Sequence, residues 1–457
     1  MSVETEVIDI VGLDSQGRGV GRSMCHMLAA HDVKVPDSTL GKVVFIEGAL
    51  LNERVQYRVL KSKRKYIEGQ LLHIAHASSQ RMVPRCRYFS TCGGCAMQHL
   101  NSQGQLAIKQ RQLENNLLHI GKVRAQQILR PIAGVDWGYR HRARLSVYYD
   151  AGRGNARIGF HEKKSRYIVD MQTCEILPPH ISALLPALRQ LIASLSLRAR
   201  IPQIELALSN TLNIFVLRIL DELSEEDKNQ LRLFADTHHV QFWLQPNGSD
   251  PVYCFYPQHP QLHYTLPEFG VTLAFLPTDF TQVNPQMNQI LVGQALKLLQ
   301  AQAHECVLDL FCGIGNFTLP LATQASKTLG IEGSAALCER AQHNAVHNQL
   351  AHKVRFMSQN LFEIDMQHIM QWGKFDRWLL DPPRDGALAL VRALAEMKLN
   401  HPEFLPKRLV YVSCDPATLA RDAAILVTQV GYRLSAAGVV NMFPHTTHIE
   451  SLAVFDL

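Results

Sequence analysis

The chain has 457 residues, 47% hydrophobic and 19% charged, which excludes disordered and fibrous classes and leaves material for two to four globular domains. No apolar run reaches the roughly 18 residues of a membrane helix, and the N-terminus MSVETEVIDI has neither a basic n-region nor an apolar h-region, so a cytoplasmic protein is expected. The net charge of +6 is uneven: residues 1–180 carry 26 Lys+Arg against 15 Asp+Glu (+11), and residues 181–457 carry 20 against 25 (−5), the pattern of a polyanion-binding front and a separate chemical domain.

Residues 1–75 read as short strands between glycine turns: TEVIDIVGL, GKVVFIEGALL, ERVQYRVL and YIEGQLLHI. This spacing predicts a small β-barrel, with the basic insert KSKRK (Lys61–Lys65) between two of its strands, where positive charge could track phosphates. Residues 76–100 form a compact, cysteine-dense loop. In QGQLAIKQRQLENNLLHIGK the spacing predicts a helix ending at Gly121. Residues 101–275 otherwise form a β-rich central α+β domain with one further helix near 180–197 and no catalytic motif.

From residue 276 to the end the pattern alternates strands and helices: CVLDLF, KTLGIEG, KVRFMSQN, RWLLDPP, LVYVSC and LAVFDL. That predicts a doubly wound, Rossmann-like α/β domain. Asn284-Pro285 supplies a helix start. In VLDLFCGIGNFTLPLA, Gly313 and Gly315 let the backbone pass close to a ligand at a helix N-terminus. Glu332 follows Asp309 by 23 residues, at the end of the next strand, where an acid can accept both ribose hydroxyls of an adenosine. Asn360 and Asp381 end the third and fourth strands. These features resemble the S-adenosylmethionine (SAM) methyltransferases; an NAD-binding domain would want three spaced glycines. Cys312 and Cys338 read as packing residues.

Ten cysteines in a reducing compartment mean metal or catalysis more often than disulfides. Cys414 ends an apolar run and precedes Asp415-Pro416, a helix start, and the helix dipole there would favour thiolate. Beside a methyl donor, a thiolate has a use. It can add to carbon 6 of uracil and make carbon 5 nucleophilic, after which a base must remove the carbon 5 proton. Glu450, before the last strand, is the candidate base. His445, His448 and Glu450 could also be a metal trio, without supporting spacing.

FTQVNPQMN, LDLFCGIGNFTLPLA, LLDPPR, VSCDPATLARD and HIESL together resemble the RNA uracil-C5 methyltransferase family. The resemblance implies Cys414 as nucleophile, Glu450 as base, and SAM contacts at Gln282, Phe311, Asn316, Glu332, Asn360 and Asp381. Asp415 stands where the family commonly has Asn, and its charge would oppose thiolate formation.

Cys86, Cys92 and Cys95 form C-x5-C-x2-C, with His99 nearby and Cys174 distant. Spacing alone leaves zinc and iron–sulfur level. The branch of the family that modifies 23S ribosomal RNA carries a [4Fe–4S] cluster on three clustered cysteines and one distant one, and opens with a TRAM (OB-like) barrel. The resemblance therefore implies Cys86, Cys92, Cys95 and Cys174 as cluster ligands, a structural cluster, and a TRAM barrel over residues 1–75. It also implies 23S rRNA as partner, with the target base flipped out of its stack. The sequence leaves oligomeric state open, with a monomer expected. Alternatives at this stage are another 23S or tRNA uracil as target, an amino-methyltransferase using DPPR, and a non-catalytic RNA-binding assembly factor.

Overall fold

A computed structural model describes residues 5–23, 41–209, 211–246, 251–258 and 262–457. The chain divides into two compact units: one of residues 1–90, 94–109 and 445–447, the other of residues 91–93, 110–444 and 448–457.

In the first unit, six strands make one sheet: Thr5–Asp9, Arg54–Ser62, Tyr66–His76, Val43–Glu47, Gly19–Arg22 and Gly12–Leu13, in that spatial order. Its two edges belong to one continuous stretch, residues 5–13, so the sheet closes on itself. Closure brings Ile8, Ile10, Val44, Ile46, Val55, Tyr57 and Ile67 into a shared core. Period-two alternation drives it, since one face of each strand is apolar. Lys61, Lys63, Arg64 and Lys65 are all exposed on the turn between the two longest strands. A smaller cluster of Leu50, Met97 and Leu100 packs the cysteine-rich loop within this unit.

The second unit holds two large sheets. The central one orders strands Tyr253–Tyr256, Gln241–Gln245, Asn213–Arg218, Gln203–Leu208, Arg142–Asp150 and Asn155–Gly159. It carries the predicted helix, Pro179–Ser194, and one the sequence reading missed, Glu225–His238. The missed helix is hydrophilic, but its start was legible: Ser224 and Asp227 form a reciprocal capping box.

The C-terminal sheet has strands β1 (Cys306–Leu310), β2 (Lys327–Glu332), β3 (Val354–Ser358), β4 (Arg377–Leu380), β5 (Arg408–Ser413), β6 (Arg433–Val440) and β7 (Glu450–Asp456). Their order is β3-β2-β1-β4-β5-β7-β6, with the short strand Gln127–Ile128 beyond β6. β1 to β5 are parallel; β7 runs antiparallel to both neighbours. The helices are α1 (Pro285–Leu299), α2 (Thr318–Gln324), α3 (Ala335–His347), α4 (Met366–Trp372), α5 (Leu388–Asn400) and α6 (Pro416–Ile425). Strand order reverses between β1 and β4, so the crevice at their carboxyl ends is where such a sheet takes ligands. Asn284 caps α1 as predicted, its side chain accepting from the Met287 amide. No described helix is long and apolar enough to cross a membrane.

Candidate active site

The turn after β1 is the glycine loop of the sequence reading. Phe311, Gly313 and Gly315 all have positive φ (65°, 54° and 94°), a conformation the glycines adopt freely and Phe311 adopts at a cost. The Ile331 carbonyl holds Phe311 there by accepting its amide at 2.9 Å. Glu332, at the end of β2, lies against this turn: its carboxylate accepts from the amides of Gly313 (3.2 Å) and Ser334 (3.0 Å). Two backbone donors fix an acceptor-only group beside the loop and leave lone pairs for hydroxyls.

Asp309, inside β1, is fully buried, and one oxygen accepts from Thr318 Oγ1 at 2.5 Å while the other has no partner among the described residues. Burial, aided by the charges of Asp381 and Glu332, pushes its pKa up to about 8, so it is largely protonated at neutral pH.

The other cofactor candidates differ in character. Asn316 Oδ1 accepts from Tyr264 Oη and Asn288 Nδ2, both at 2.9 Å, and its own Nδ2 donates to Asn288 Oδ1 at 3.0 Å. Its amide is therefore mostly committed within the protein. Asn360 is exposed after β3, its Oδ1 accepting the Phe362 amide, and the Phe362 ring lies 5.7 Å from that of Phe311. Gln282 is half-buried just before α1, next to Val283, whose carbonyl accepts the His141 amide at 2.7 Å.

Asp381 ends β4, its amide bonded to the Leu310 carbonyl at 3.2 Å. Cys414 follows β5. Because β7 is antiparallel to β5, with Ser413 opposite Ser451, its first residue Glu450 arrives at the same carboxyl edge as Cys414. Asp415 caps α6, accepting from Ala417 (2.8 Å) and Thr418 (3.1 Å). Its charge is engaged by the helix terminus.

The expectation that this helix start makes Cys414 a ready thiolate is corrected by its surroundings. Burial first, then the charges of Glu450 and Asp381, push the Cys414 thiol up to about 12; the Arg384 guanidinium and a backbone hydrogen bond oppose them. Glu450 is itself 2% exposed and raised well above the carboxylate range by burial and by Asp381, whose pKa burial also raises. The site is thus a thiol among carboxyl groups that resist ionising together. Sequence reasoning missed Arg384, whose Nη2 lies 3.5 Å from His448 Nδ1, and read Asp381 only as a cofactor contact. The signal was available in DPPR, one strand end away from Cys414.

Of the described cysteines, Cys92 and Cys174 are buried and Cys86 and Cys95 half-buried. The Cys86 amide donates to Gln98 Oε1 at 3.0 Å, and the Cys174 amide to Ser182 Oγ at 2.8 Å. Among the described residues, no group of three or more His, Cys, Asp or Glu side chains is assembled to hold a metal ion.

A family model described as tRNA (uracil-5-)-methyltransferase matches residues 101–456. The chain belongs to this family of RNA uracil-5-methyltransferases. Among its relatives, a Cupriavidus pinatubonensis protein is 56% identical over 450 residues, covering 98% of this chain and 95% of its own. A Ralstonia pickettii protein is 55% identical over 452 residues, covering 98% of each. Both are named 23S rRNA (uracil(1939)-C(5))-methyltransferase RlmD. In structure, the chain is similar to a Pyrococcus abyssi tRNA (uracil-54, C5)-methyltransferase solved with S-adenosyl-L-homocysteine. The TM-score is 0.71 at 22% identity, covering 99% of this chain and 100% of that one.

Proposed function

We propose that this chain methylates carbon 5 of a uracil in 23S ribosomal RNA, the uracil numbered 1939 in its relatives' names, with SAM as methyl donor. The observation that carries the proposal is the pairing of Cys414 with Glu450 at one sheet edge, beside the glycine turn and Glu332. The near-full-length identity to proteins of that name supports the choice of RNA.

Cys414, once its thiol proton is lost to solvent, adds as thiolate to carbon 6 of the flipped uracil, and the ring's electrons move toward oxygen 4 as an enolate. SAM supplies an electrophilic methyl group, which carbon 5 then takes. Glu450 accepts the carbon 5 proton; the ring double bond re-forms, the bond from carbon 6 to sulfur breaks, and Cys414 leaves as thiolate. Arg384 opposes the surrounding negative charge on Cys414 and so favours the attacking form. Glu332 holds the ribose, and Gln282, Phe311, Asn316, Asn360 and Asp381 line the rest of the donor site. Replacing Glu332 by Ala removes a charged acceptor, an effect of about 1.5–3 kcal/mol. SAM should then bind roughly 10- to 100-fold more weakly by calorimetry.

We read residues 1–75 as a TRAM barrel, which with the exposed Lys61–Lys65 turn holds flanking RNA. Residues 76–100 form the cysteine loop, 101–275 the central domain and 276–457 the catalytic domain. The deciding experiment is incubation with SAM and a 23S rRNA fragment carrying 5-fluorouracil at the target. Fluorine cannot be lost as a proton, so a stable protein–RNA adduct is expected, and no adduct would sink covalent catalysis.

Cys86, Cys92, Cys95 and Cys174 are proposed as ligands of a structural [4Fe–4S] cluster, on the C-x5-C-x2-C spacing with one distant cysteine and the likeness to the family branch that carries such a cluster. Protein purified without oxygen should be brown, with iron and acid-labile sulfide that Cys174→Ser loses. A colourless protein holding stoichiometric zinc would overturn the assignment.

A further inference from the structure

The turn between β4 and α5, Asp381 to Ala387, carries Arg384, the cation that opposes the negative charge around Cys414. Arg384 is exposed, and a long exposed side chain keeps one direction only at an entropic cost, which a fixed backbone lowers. Three hydrogen bonds fix it, all within the second compact unit. The Gly386 amide donates to the Pro383 carbonyl at 2.9 Å. Arg421 Nη2 donates to the Asp385 carbonyl, and the Ala387 amide donates to Asp422 Oδ2, each at 2.8 Å.

Two of the three come from adjacent residues of α6, the helix whose first residue follows Cys414 by two positions. The Asp422 side chain is fully buried. Its Oδ1 accepts from Arg421 Nε and its Oδ2 from Tyr411 Oη, both at 2.8 Å, so a charge-assisted pair is tied to β5. The turn is pressed against that pair. Gly386 has a φ of 75°, and a Cβ there would meet Arg421 Nη2 at 2.6 Å and Asp422 Oδ2 at 2.7 Å. Asp422 has a plain structural use: α5 has no side-chain cap from its own N-cap residue, and Asp422 accepts an amide at its start. The Arg421 bond has no such use. Asp385 is an exposed residue whose carbonyl water could serve, so the bond constrains the turn rather than rescuing a buried group.

We infer that Arg421, seated on Asp422, is a positioning residue for Arg384: by holding the carbonyl of the next residue, it fixes where the Arg384 guanidinium stands relative to Cys414. The inference rests on reading Cys414 as the nucleophile. Arg421 touches neither RNA nor methyl donor in this account, and acts only through the turn. Its loss frees Arg384 and leaves the thiol facing Glu450 from β7 and Asp381 from β4 with less opposition.

Alkylation of Cys414 by iodoacetamide, read by mass spectrometry against pH, reports on the thiol without RNA or methyl donor. In the full-length protein, Arg421→Ala should move this profile to higher pH. At fixed pH it should slow alkylation about 3- to 10-fold, the size of a coupling within one hydrogen-bond network. In an Arg384→Ala background the same substitution should change the rate by less than about 1.5-fold, because the group it positions is gone. A merely structural role would not depend on Arg384 in this way. Arg421→Lys keeps the charge but can make only one of the two bonds, so it should fall between Arg421→Ala and wild type. Unchanged alkylation in Arg421→Ala would overturn the inference, as would equal slowing with and without Arg384. Arg421→Lys as fast as wild type would overturn it too, since charge alone would then suffice. If Arg421→Ala does not fold, Arg421→Lys in the two backgrounds decides the question. Failure of the wild type to form an adduct with 5-fluorouracil RNA would instead sink the reading of Cys414 as nucleophile, and would leave the alkylation comparison intact.

Discussion

Replacing Cys414 with Ala should abolish methyl transfer and adduct formation on both uracil and 5-fluorouracil RNA, with SAM binding unchanged. Without addition of the thiolate to carbon 6, carbon 5 stays a poor nucleophile. Losing a covalent nucleophile costs on the order of 10⁴-fold or more, so activity should fall below detection in a tritium-transfer assay. The electrostatics add a second measurement. A thiol pushed up to about 12 is almost wholly protonated at neutral pH, and its thiolate fraction rises tenfold with each pH step below that value. Alkylation of Cys414 by iodoacetamide, followed by mass spectrometry, should therefore be slow at pH 7 and climb steeply as pH is raised. At a pH where Glu450 is ionised, Glu450→Gln removes a charge that holds the thiolate back, so alkylation there should accelerate. Arg384→Ala removes the opposing cation, so it should slow. A flat pH dependence, or the reverse order of these variants, would refute the assignment of causes.

Glu450→Gln should stop the enzyme one step later. The amide cannot take the carbon 5 proton, so the methylated base stays joined to Cys414 through carbon 6. Turnover should drop on the order of 10³-fold, within the range for a general base, while a denaturation-resistant protein–RNA adduct accumulates on ordinary RNA. An inactive variant with no adduct would mean that Glu450 acts before methyl transfer. The wild-type carboxyl is raised well above its usual range by burial and by Asp381. Its basic form is therefore lost as pH falls, and release of product should slow on the acid side before SAM binding does.

Much of this was legible in the sequence because it is local. A strand, a glycine turn and a helix start lie within a few residues of one another, so VLDLFCGIGN, LGIEG, LLDPP and VSCDP could each be read as a strand end facing a common edge. The barrel strands were legible for the same reason, by their alternation. The helix Glu225–His238 was missed because it is polar, and strand β6 because RLSAAGVV is small and weakly patterned. The partners that orient the Asn316 amide, Tyr264 and Asn288, lie 52 and 28 residues away and were not legible.

By itself the sequence determined the α/β character of the C-terminal domain and the strand-end positions of Glu332, Asp381 and Cys414. What only the tertiary structure decided is how those groups act on one another. The antiparallel insertion of β7 between β5 and β6 carries Glu450 to the edge where Cys414 ends its strand, and no spacing along the chain encodes that. Enclosure beside two carboxyl groups then turns a cysteine that the helix dipole would ionise into one held as a thiol. Burial and charge act through space, and they outweigh a helix terminus whose influence fades within a turn.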